Sequence, residues 1–218
     1  YKRLPRWNLF YLNNLKKTLA KYNFSKVFDL QNSKRTKFYK RFIIKFADWS
    51  STETTLELGQ KKSEFDKDPV LDRMEIQLRK SGIDTEFTKN IDLSWATENA
   101  SNLVKYYTNR EYILLFPFCS PKLKNKKWPY YKELIQKLKQ EFKNKYSVLL
   151  APGPNEIKEA NELNARVVLD NNEYVTLKTL VSLIHSAKLI IANDTGPAHI
   201  ASHLDKKGLV LFGSHTSA

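Results

Sequence analysis

The second half of the chain alternates short apolar runs with segments of helical periodicity. The predicted strands span residues 112–116, 147–151, 166–169, 189–192 and 209–212 and are apolar except at Ser147 and Arg166. Uninterrupted runs of this length indicate parallel strands that are buried on both faces. Between them, helices are predicted from Trp128-Pro129, from about residue 156 to 163, and after Thr176 as the capping residue. This alternation predicts an α/β fold in which helices cover both faces of a parallel sheet.

The first 110 residues have a less regular pattern. We predict a helix over residues 7–22, beginning at Trp7, a strand over 26–31, and a helix or strand over 37–46. The polar segment 47–67 indicates a surface loop. A helix is predicted to begin at Asp68-Pro69 and to end at Gly82, followed by an extended segment over 84–94 and a helix over 98–107. The domain boundary is therefore predicted at residue 108, with domains over 1–108 and 109–218.

Positive charge is concentrated near the start of the chain. The net charge is +14 over 218 residues, and residues 1–55 hold thirteen Lys and Arg against three acids, which is +10. Such a region suits an acidic partner, which is a nucleic acid, an anionic lipid headgroup or an acidic saccharide. A Lys-rich composition without a binding role is the alternative. The densest basic cluster lies between Lys34 and Lys45, and on a helix Lys34, Lys37 and Arg41 would share one face.

The ends of the chain and its single cysteine bear on location. Cys119 cannot form an internal disulfide and fits a reducing compartment. The sequence contains no signal segment and no apolar run of the length that a membrane helix needs. It begins at Tyr1 without Met and ends at Ala218 directly after an apolar run, so we expect that both ends are cut.

The segment from Lys188 to Ala201 reads as a buried strand, a tight turn and a helix start. Pro197 suits the first position of that helix, with Thr195 or Gly196 as the cap. The free N–H groups of a first helical turn attract an anion. Asp194 stands at the carboxyl end of the predicted strand, at the sheet edge where open α/β folds bind ligands. We interpret the segment as a carboxylate for hydroxyl groups beside a helix end for phosphate; a turn that only caps the helix is the alternative.

A second candidate anion site precedes the helix at Trp128-Pro129. Ser120, Lys126 and Lys127 offer a hydroxyl and two ammonium groups near a helix start. Because both sites follow strands of one parallel sheet, together they could hold a pyrophosphate. Glu156 begins its helix at the same edge and could accept a hydrogen bond from a ribose hydroxyl, or it could simply stabilise the helix dipole.

Several other chemistries are disfavoured. The sequence has neither a Walker loop nor a G-x-G-x-x-G fingerprint, which disfavours a kinase or dehydrogenase. His199 and His203 have the spacing of zinc ligands, but the glutamate of the H-E-x-x-H motif is absent and no Cys or carboxylate cluster is near in sequence. We therefore expect no metal and no cofactor.

Four segments in order along the chain resemble glycosyltransferase family 9, the lipopolysaccharide heptosyltransferases. Asn193 to Ala201, followed by Leu209 to Gly213, resembles the family hallmark, and Lys126 to Pro129 matches a K-x-W-P helix start. Pro152 to Glu156 resembles a family turn that ends in Glu, and Asp29 to Ser33 resembles a D-L-Q-x-S segment. The resemblance implies a GT-B fold with two Rossmann-like domains and parallel sheets, the first domain being incomplete in this chain.

The resemblance also implies a reaction and roles for individual residues. It implies an inverting, metal-independent transfer of a sugar, usually heptose from ADP-heptose, to the acidic inner core of lipopolysaccharide. Asp194 would contact the donor sugar and Glu156 the ribose. The diphosphate would be held by Thr195, Gly196, His199, Ser120 and Lys126. We assign acceptor binding to the basic cluster, namely Lys34, Arg35, Lys37 and Arg41.

The resemblance leaves the catalytic base unassigned. The family's base is an Asp in a Gly-rich loop, which we expect upstream of Tyr1. We expect a cytoplasmic protein, with peripheral contact to the inner face of the inner membrane as a further option, and no nucleic-acid partner. Two alternatives stay open, which are a basic nucleic-acid-binding module and a non-catalytic relative of the family.

Overall fold

The computed structural model describes residues 8–88, 91–143 and 145–213. The chain divides into two units, Tyr1–Asn90 and Ile91–Ala218. The division falls before the boundary predicted at residue 108, because the helix over Ser101–Tyr107 packs on the core of the second unit. The Tyr107 hydroxyl donates a hydrogen bond to the Leu169 carbonyl at 2.9 Å and accepts one from the Leu169 N–H. Trp7, the predicted start of the first helix, lies outside the described residues.

The helices and strands follow each other along the chain with short connections. The helices are α1 (Leu9–Ala20), α2 (Lys34–Phe42), α3 (Thr52–Thr55), α4 (Lys62–Phe65), α5 (Val70–Lys80), α6 (Ser101–Tyr107), α7 (Tyr131–Glu141), α8 (Ile157–Asn161), α9 (Leu177–Ser186) and α10 (Gly196–His203). The strands are β1 (Lys26–Phe28), β2 (Asp48–Ser50), β3 (Tyr112–Phe116), β4 (Ser147–Leu150), β5 (Arg166–Val167), β6 (Leu189–Asn193) and β7 (Gly208–Leu211). Short 3₁₀ turns lie at Ser94–Ala96 and Lys124–Lys126. No described helix is long and apolar enough to cross a bilayer.

The second unit is built on a five-stranded sheet with strand order β5-β4-β3-β6-β7, in which every pair is parallel. The central strand β3 is buried along its whole length, as its apolar run predicts. The chain leaves β3 toward β4 and β5 and then returns to the other side of β3 as β6. The carboxyl ends of β3 and β6 therefore flank a topological switch point, which is where such sheets bind ligands.

The core of the second unit has two layers, one on each face of the sheet. Leu114 and its alternate neighbours on β3 face a layer to which α6, α9 and α10 contribute. Ile113 and Leu115 face the opposite layer, which includes Tyr131 and Ile135 of α7 and residues of α8. This alternation follows from the two-residue period of a strand. The predicted parallel sheet with helices on both faces is thus confirmed.

The first unit contains a two-stranded parallel sheet, β1 with β2, that is held by polar side chains. The buried Gln77 amide donates to the main-chain carbonyls of Asp29 at 3.2 Å and Ser50 at 3.1 Å. The Asn32 side chain accepts a 2.6 Å hydrogen bond from the N–H of Thr52 and donates to the Gln77 side chain at 3.2 Å. These side chains thereby pair main-chain groups beside the strand ends, namely the Asp29 carbonyl and the Thr52 N–H, that the hydrogen bonds between β1 and β2 do not satisfy.

The prediction of a surface loop over residues 47–67 is wrong. The segment contains β2, α3 and α4, and Trp49 and Phe65 are buried. Both short helices are single turns, and α3 begins at a capping box in which the Ser51 N–H donates to the Thr54 hydroxyl. Hydroxyl groups satisfy the backbone of such a turn, so it needs no apolar periodicity and looks like a loop in the sequence.

Three of the predicted helix starts differ from the observed ones by one to three residues: those of α5 and α7 were placed too early, and that of α10 one residue too late. Helix α5 starts at Val70, so Pro69 precedes it, and α7 starts at Tyr131 rather than at Trp128. Helix α10 starts at Gly196 with the extended Thr195 as N-cap, which makes Pro197 its second residue. The predicted end of α5 is confirmed, because Gly82 has φ +78° and its N–H reaches the Arg79 carbonyl.

Candidate functional site

The candidate site lies at the carboxyl edge of the five-stranded sheet. The loops after β3, β4 and β6 meet there around a cavity of about 380 Å³. Ser120, Glu156 and Thr195, each assigned to donor binding from the sequence, line this cavity together. Apolar and aromatic side chains complete its wall, namely Phe116, Phe118, Val175, Tyr174, Leu177, Leu180 and Pro197. The cavity therefore combines an apolar wall with a few polar groups, as small-molecule sites do.

An ion pair joins the two segments that the sequence assigned to anion binding. The Lys126 ammonium donates to the Asp194 carboxylate at 2.7 Å and to its main-chain carbonyl at 3.2 Å, although the residues are 68 positions apart. The two side chains are 21% and 18% exposed. A pair that is mostly shielded from water keeps its charges in a defined geometry, more than an exposed pair does.

His199 lies on the other side of the same carboxylate. Its Nε2 atom is 3.7 Å from the Asp194 carboxylate, and the imidazole side chain is 72% exposed. The ring is on the first turn of α10 and open to a ligand. Asp194 therefore has a cationic side chain on one oxygen and an imidazole near the other.

Thr195 and Gly196 form the start of α10. The Thr195 hydroxyl donates to the Asn193 carbonyl at 3.2 Å and makes no capping hydrogen bond to the helix. A Cβ added at Gly196 would meet nothing within 4 Å, so the helix start is open to an approaching group. The partial positive charge of a helix N-terminus favours an anion at this position.

Glu156 closes the turn after β4 and lines the cavity at the same time. Its carboxylate accepts a 2.7 Å hydrogen bond from the Gly153 N–H, and a Cβ added at Gly153 would lie 3.1 Å from that oxygen. Burial raises the pKa of Glu156 above its ordinary range, and the Gly153 hydrogen bond opposes part of that shift. One carboxylate oxygen is thus used within the turn, a structural role different from stabilising the helix dipole, and the second oxygen is left for a ligand.

Asn193 is a site residue to which the sequence prediction gave no role. Its side chain is fully buried, and its amide nitrogen donates to the Pro117 carbonyl at 2.9 Å. Its amide oxygen accepts a hydrogen bond from the main-chain N–H of Trp128 at 3.2 Å and one from the Tyr131 hydroxyl at 3.4 Å. One signal was available in the sequence, since an amide at the end of an otherwise apolar strand requires buried partners.

The predicted acceptor cluster lies on α2 of the first unit. The helical conformation puts Lys34, Lys37 and Arg41 on one face, as expected for a helix. The Lys37 ammonium forms an ion pair with Glu53, whose pKa is lowered chiefly by that hydrogen bond. The Arg41 guanidinium lies 5.5 Å from the Phe42 ring centre. Arg35 is on the same helix and half-buried.

Metal ligands do not assemble in the part of the chain that the structure describes. No three His, Cys, Asp or Glu side chains in residues 8–88, 91–143 and 145–213 come close enough to hold an ion. Cys119 is a free thiol beside the cavity, and its sulfur contacts the Leu123 carbonyl at 3.2 Å.

The fold and the site define an α/β protein with a doubly wound parallel sheet and an anion-compatible switch point. The chain belongs to glycosyltransferase family 9 (heptosyltransferase), whose sequence model matches residues 12–218. The family and the glycosyltransferase class predicted from the four segments are therefore confirmed. Among curated proteins, none matches the sequence significantly.

Solved structures share the fold at low sequence identity. Escherichia coli heptosyltransferase WaaC with ADP-2-deoxy-2-fluoro heptose has a TM-score of 0.65 and 18% identity, over 96% of this chain and 68% of that one. E. coli ADP-heptose lipopolysaccharide heptosyltransferase II gives 0.60 and 18%, over 94% and 67%. A family 9 glycosyltransferase from Veillonella parvula gives 0.64 and 17%, over 95% and 63%. The chain thus spans about two thirds of these proteins and has the parallel α/β fold of GT-B heptosyltransferases.

Proposed function

We propose that this protein is an inverting glycosyltransferase that moves heptose from ADP-heptose to the acidic inner core of lipopolysaccharide. The observation that carries the proposal is the Lys126–Asp194 pair, which joins two anion-compatible segments at the switch point of the sheet. The structural neighbour WaaC, solved with ADP-2-deoxy-2-fluoro heptose, supports a nucleotide sugar as the donor. Family membership supports heptose as the sugar.

The diphosphate is the part of the donor that this geometry suits best. Lys126 supplies a fixed positive charge, the open start of α10 supplies the backbone N–H of Gly196, and His199 supplies an exposed imidazole. Ser120 and Thr195 add hydroxyl groups on the cavity wall. Cationic and backbone donors toward phosphate oxygens form charge-assisted hydrogen bonds, which are stronger than neutral ones.

The remaining donor groups fit the other polar and apolar parts of the site. Asp194 can accept hydrogen bonds from hydroxyl groups of the sugar, and the free oxygen of Glu156 can accept one from the ribose. The apolar cavity wall around Tyr174 and Leu177 suits a flat base. A carboxylate that accepts from sugar hydroxyls adds selectivity, because an analogue that lacks the hydroxyl leaves the carboxylate unpaired.

The chemical step is a single displacement at the anomeric carbon. The acceptor oxygen forms a bond to that carbon on the face opposite to the leaving ADP, and the bond from carbon to phosphate oxygen breaks. The acceptor proton passes to a general base, which we do not assign to any residue of this chain. Negative charge grows on the departing diphosphate, so Lys126 and His199 would stabilise the transition state more than the ground state.

The acceptor side of the proposal depends on charge. The net charge of +10 in residues 1–55 and the basic face of α2 favour an acidic saccharide. We include a cytoplasmic location with peripheral contact to the inner face of the inner membrane, where a lipid-linked acceptor would be reached. The contribution of Lys37 is smaller than that of Lys34 and Arg41, because Glu53 already pairs with it.

A transfer assay tests the proposal. The protein is incubated with ADP-heptose and an inner-core acceptor, ADP release is measured, and the anomeric configuration of the product is read by NMR. We expect turnover with inversion, and we expect Lys126→Met to lower kcat/KM by roughly 10- to 100-fold through loss of a charged hydrogen bond. Lys137→Met, an exposed lysine on α7, is the matched control and should leave turnover unchanged.

The outcomes separate the alternatives. Binding of ADP without turnover would favour a non-catalytic relative. Absence of both ADP binding and turnover would overturn the proposal, and salt-resistant binding of nucleic acid would then favour the nucleic-acid-binding module. A product with retained configuration would contradict the inverting mechanism alone.

A further inference from the structure

The side chain of Asn193 connects three segments that are distant in sequence. Pro117 lies 76 positions before it, and Trp128 lies 65 positions before it. The orientation of the side-chain amide is set by its partners, because the Pro117 carbonyl can only accept a hydrogen bond and the main-chain N–H of Trp128 can only donate one. Asn193 is fully buried, so these hydrogen bonds do not compete with water.

Pro117 and Trp128 are the two ends of the loop that carries Ser120 and Lys126. One buried amide therefore closes this loop at both ends. The Tyr131 hydroxyl supports the same arrangement, since it lies 3.4 Å from the Asn193 oxygen and 3.4 Å from the Phe116 carbonyl and can share its proton between them. Fixing both ends of a loop removes much of its conformational freedom before a ligand arrives.

The backbone of Asn193 holds the other half of the site. It precedes Asp194 directly, and its carbonyl accepts the Thr195 hydroxyl at 3.2 Å. Its position on β6 is set by pairing with Leu211 of β7. Asn193 is thus linked to Asp194 through the main chain, and its side chain holds both ends of the loop that contains Lys126.

We propose that Asn193 is a positioning residue that sets the donor site, because its amide locks the loop 118–127 against the strand end that presents Asp194. This inference rests on the proposed function, since it concerns the binding of the donor diphosphate. Asn193 touches no ligand in this account. It acts through Lys126, whose ammonium reaches Asp194 only when the loop is held in place.

A double-mutant cycle on ADP affinity tests the inference. Calorimetry is carried out with ADP on the wild type, Asn193→Ala, Lys126→Met and the double variant. We expect Asn193→Ala to weaken ADP binding by roughly tenfold in the wild type and by no more than about threefold in Lys126→Met. A residue that only stabilises the fold would cost the same factor in both backgrounds, and that result would overturn the inference.

Two controls separate positioning from stability. Leu183→Ala removes a fully buried side chain of the second unit that does not line the cavity, so it should lower the Tm without changing ADP affinity. If Asn193→Ala does not fold, Asn193→Asp keeps the size and one acceptor oxygen but loses the donor to Pro117. The same cycle is then run with Asn193→Asp, and equal losses in both backgrounds would again overturn the inference.

The possible outcomes distinguish this inference from the proposed function. If the wild type does not bind ADP, both fail. If the wild type binds ADP, Lys126→Met weakens it and the two substitutions are additive, the proposed function stands and the positioning role of Asn193 fails. Hydrogen exchange gives a second readout, since loss of the amide should speed exchange in residues 118–127 while residues 147–150 stay unchanged.

Discussion

Both units of this chain combine helices with a parallel sheet, but the two sheets are stabilised by different interactions. In the second unit, a five-stranded sheet is covered by apolar side chains, and Leu114 and Leu149 are fully buried. In the first unit, two strands are connected by the buried polar side chain of Gln77. Apolar packing is spread over many contacts, whereas a hydrogen-bonded centre depends on a few partners.

The two units also differ in where their charged side chains lie. In the second unit, Lys126 and Asp194 form a mostly shielded ion pair at the carboxyl edge of the sheet. The first unit has exposed basic residues on the surface of α2. A pair in a cleft suits a small anionic ligand, and an exposed basic helix suits a larger acidic surface.

The largest expected effect is a loss of stability in the second unit. Leu149→Ala removes a fully buried side chain from the central core and should cost about 2–5 kcal/mol of the free energy of unfolding. Urea unfolding, monitored by hydrogen exchange in residues 112–116, measures this loss of free energy. Leu123→Ala, at a side chain 46% exposed, is the control, and a similar cost at both positions would contradict the described core.

A smaller loss is expected when the polar centre of the first unit is disrupted. Gln77→Ala leaves the carbonyls of Asp29 and Ser50 without that donor and should cost about 1–3 kcal/mol. Exchange should speed up in residues 26–28 and 48–50 and stay unchanged in residues 112–116. Gln136→Ala, on the exposed side of α7, should have no effect. Faster exchange in both units would remove the distinction between them.

The third expected effect is on acceptor binding. The double variant Lys34→Ala/Arg41→Ala should raise the KM for the acceptor by roughly threefold to tenfold, because exposed charges contribute modestly. ADP affinity should stay the same, since these residues lie in the first unit. The loss should shrink at high salt as the charges are screened. Lys16→Ala/Lys17→Ala on α1 is the matched control, and an equal rise in KM there would assign the effect to net charge alone.

The smallest expected effect is a pH dependence at Glu156. Burial raises the pKa of this carboxyl above its ordinary value of 4.5. Its contribution to stability is therefore complete below pH 4.5 and is lost as the pH rises through the raised pKa. Glu156→Gln does not titrate, so the wild type should lose stability relative to the variant over the pH range above 4.5, as the carboxyl ionises. A constant difference across that range would contradict a raised pKa.

The apolar periodicity predicted the second unit well and the first unit poorly. The strands of the second unit are apolar runs, and their predicted positions agree with β3, β4 and β6 to within one residue. The first unit uses single-turn helices and hydroxyl caps, as at Thr54, which carry no apolar period. The division into units lies before the predicted boundary at residue 108, and the contact of Tyr107 with Leu169, which lies within the second unit, is tertiary.

The site was predicted as a set of residues but not as an arrangement. Both segments could be located because Ser120, Lys126 and Asp194 follow strands of one parallel sheet. The direct contact between Lys126 and Asp194, and the buried hydrogen bonds of Asn193, depend on partners more than 60 positions apart. A local sequence pattern cannot predict contacts between residues that lie so far apart in the chain. The assigned roles of these residues in binding the donor stay predictions.

Hydrogen exchange with and without ADP tests the central claim most directly. The claim is that the nucleotide binds at the carboxyl edge of the second unit. With saturating ADP, we expect slower exchange in residues 117–127, 152–156 and 194–199, and Lys126→Met should abolish most of it at the same ADP concentration. Protection that is absent from all three segments, or confined to residues 8–88, would contradict the account.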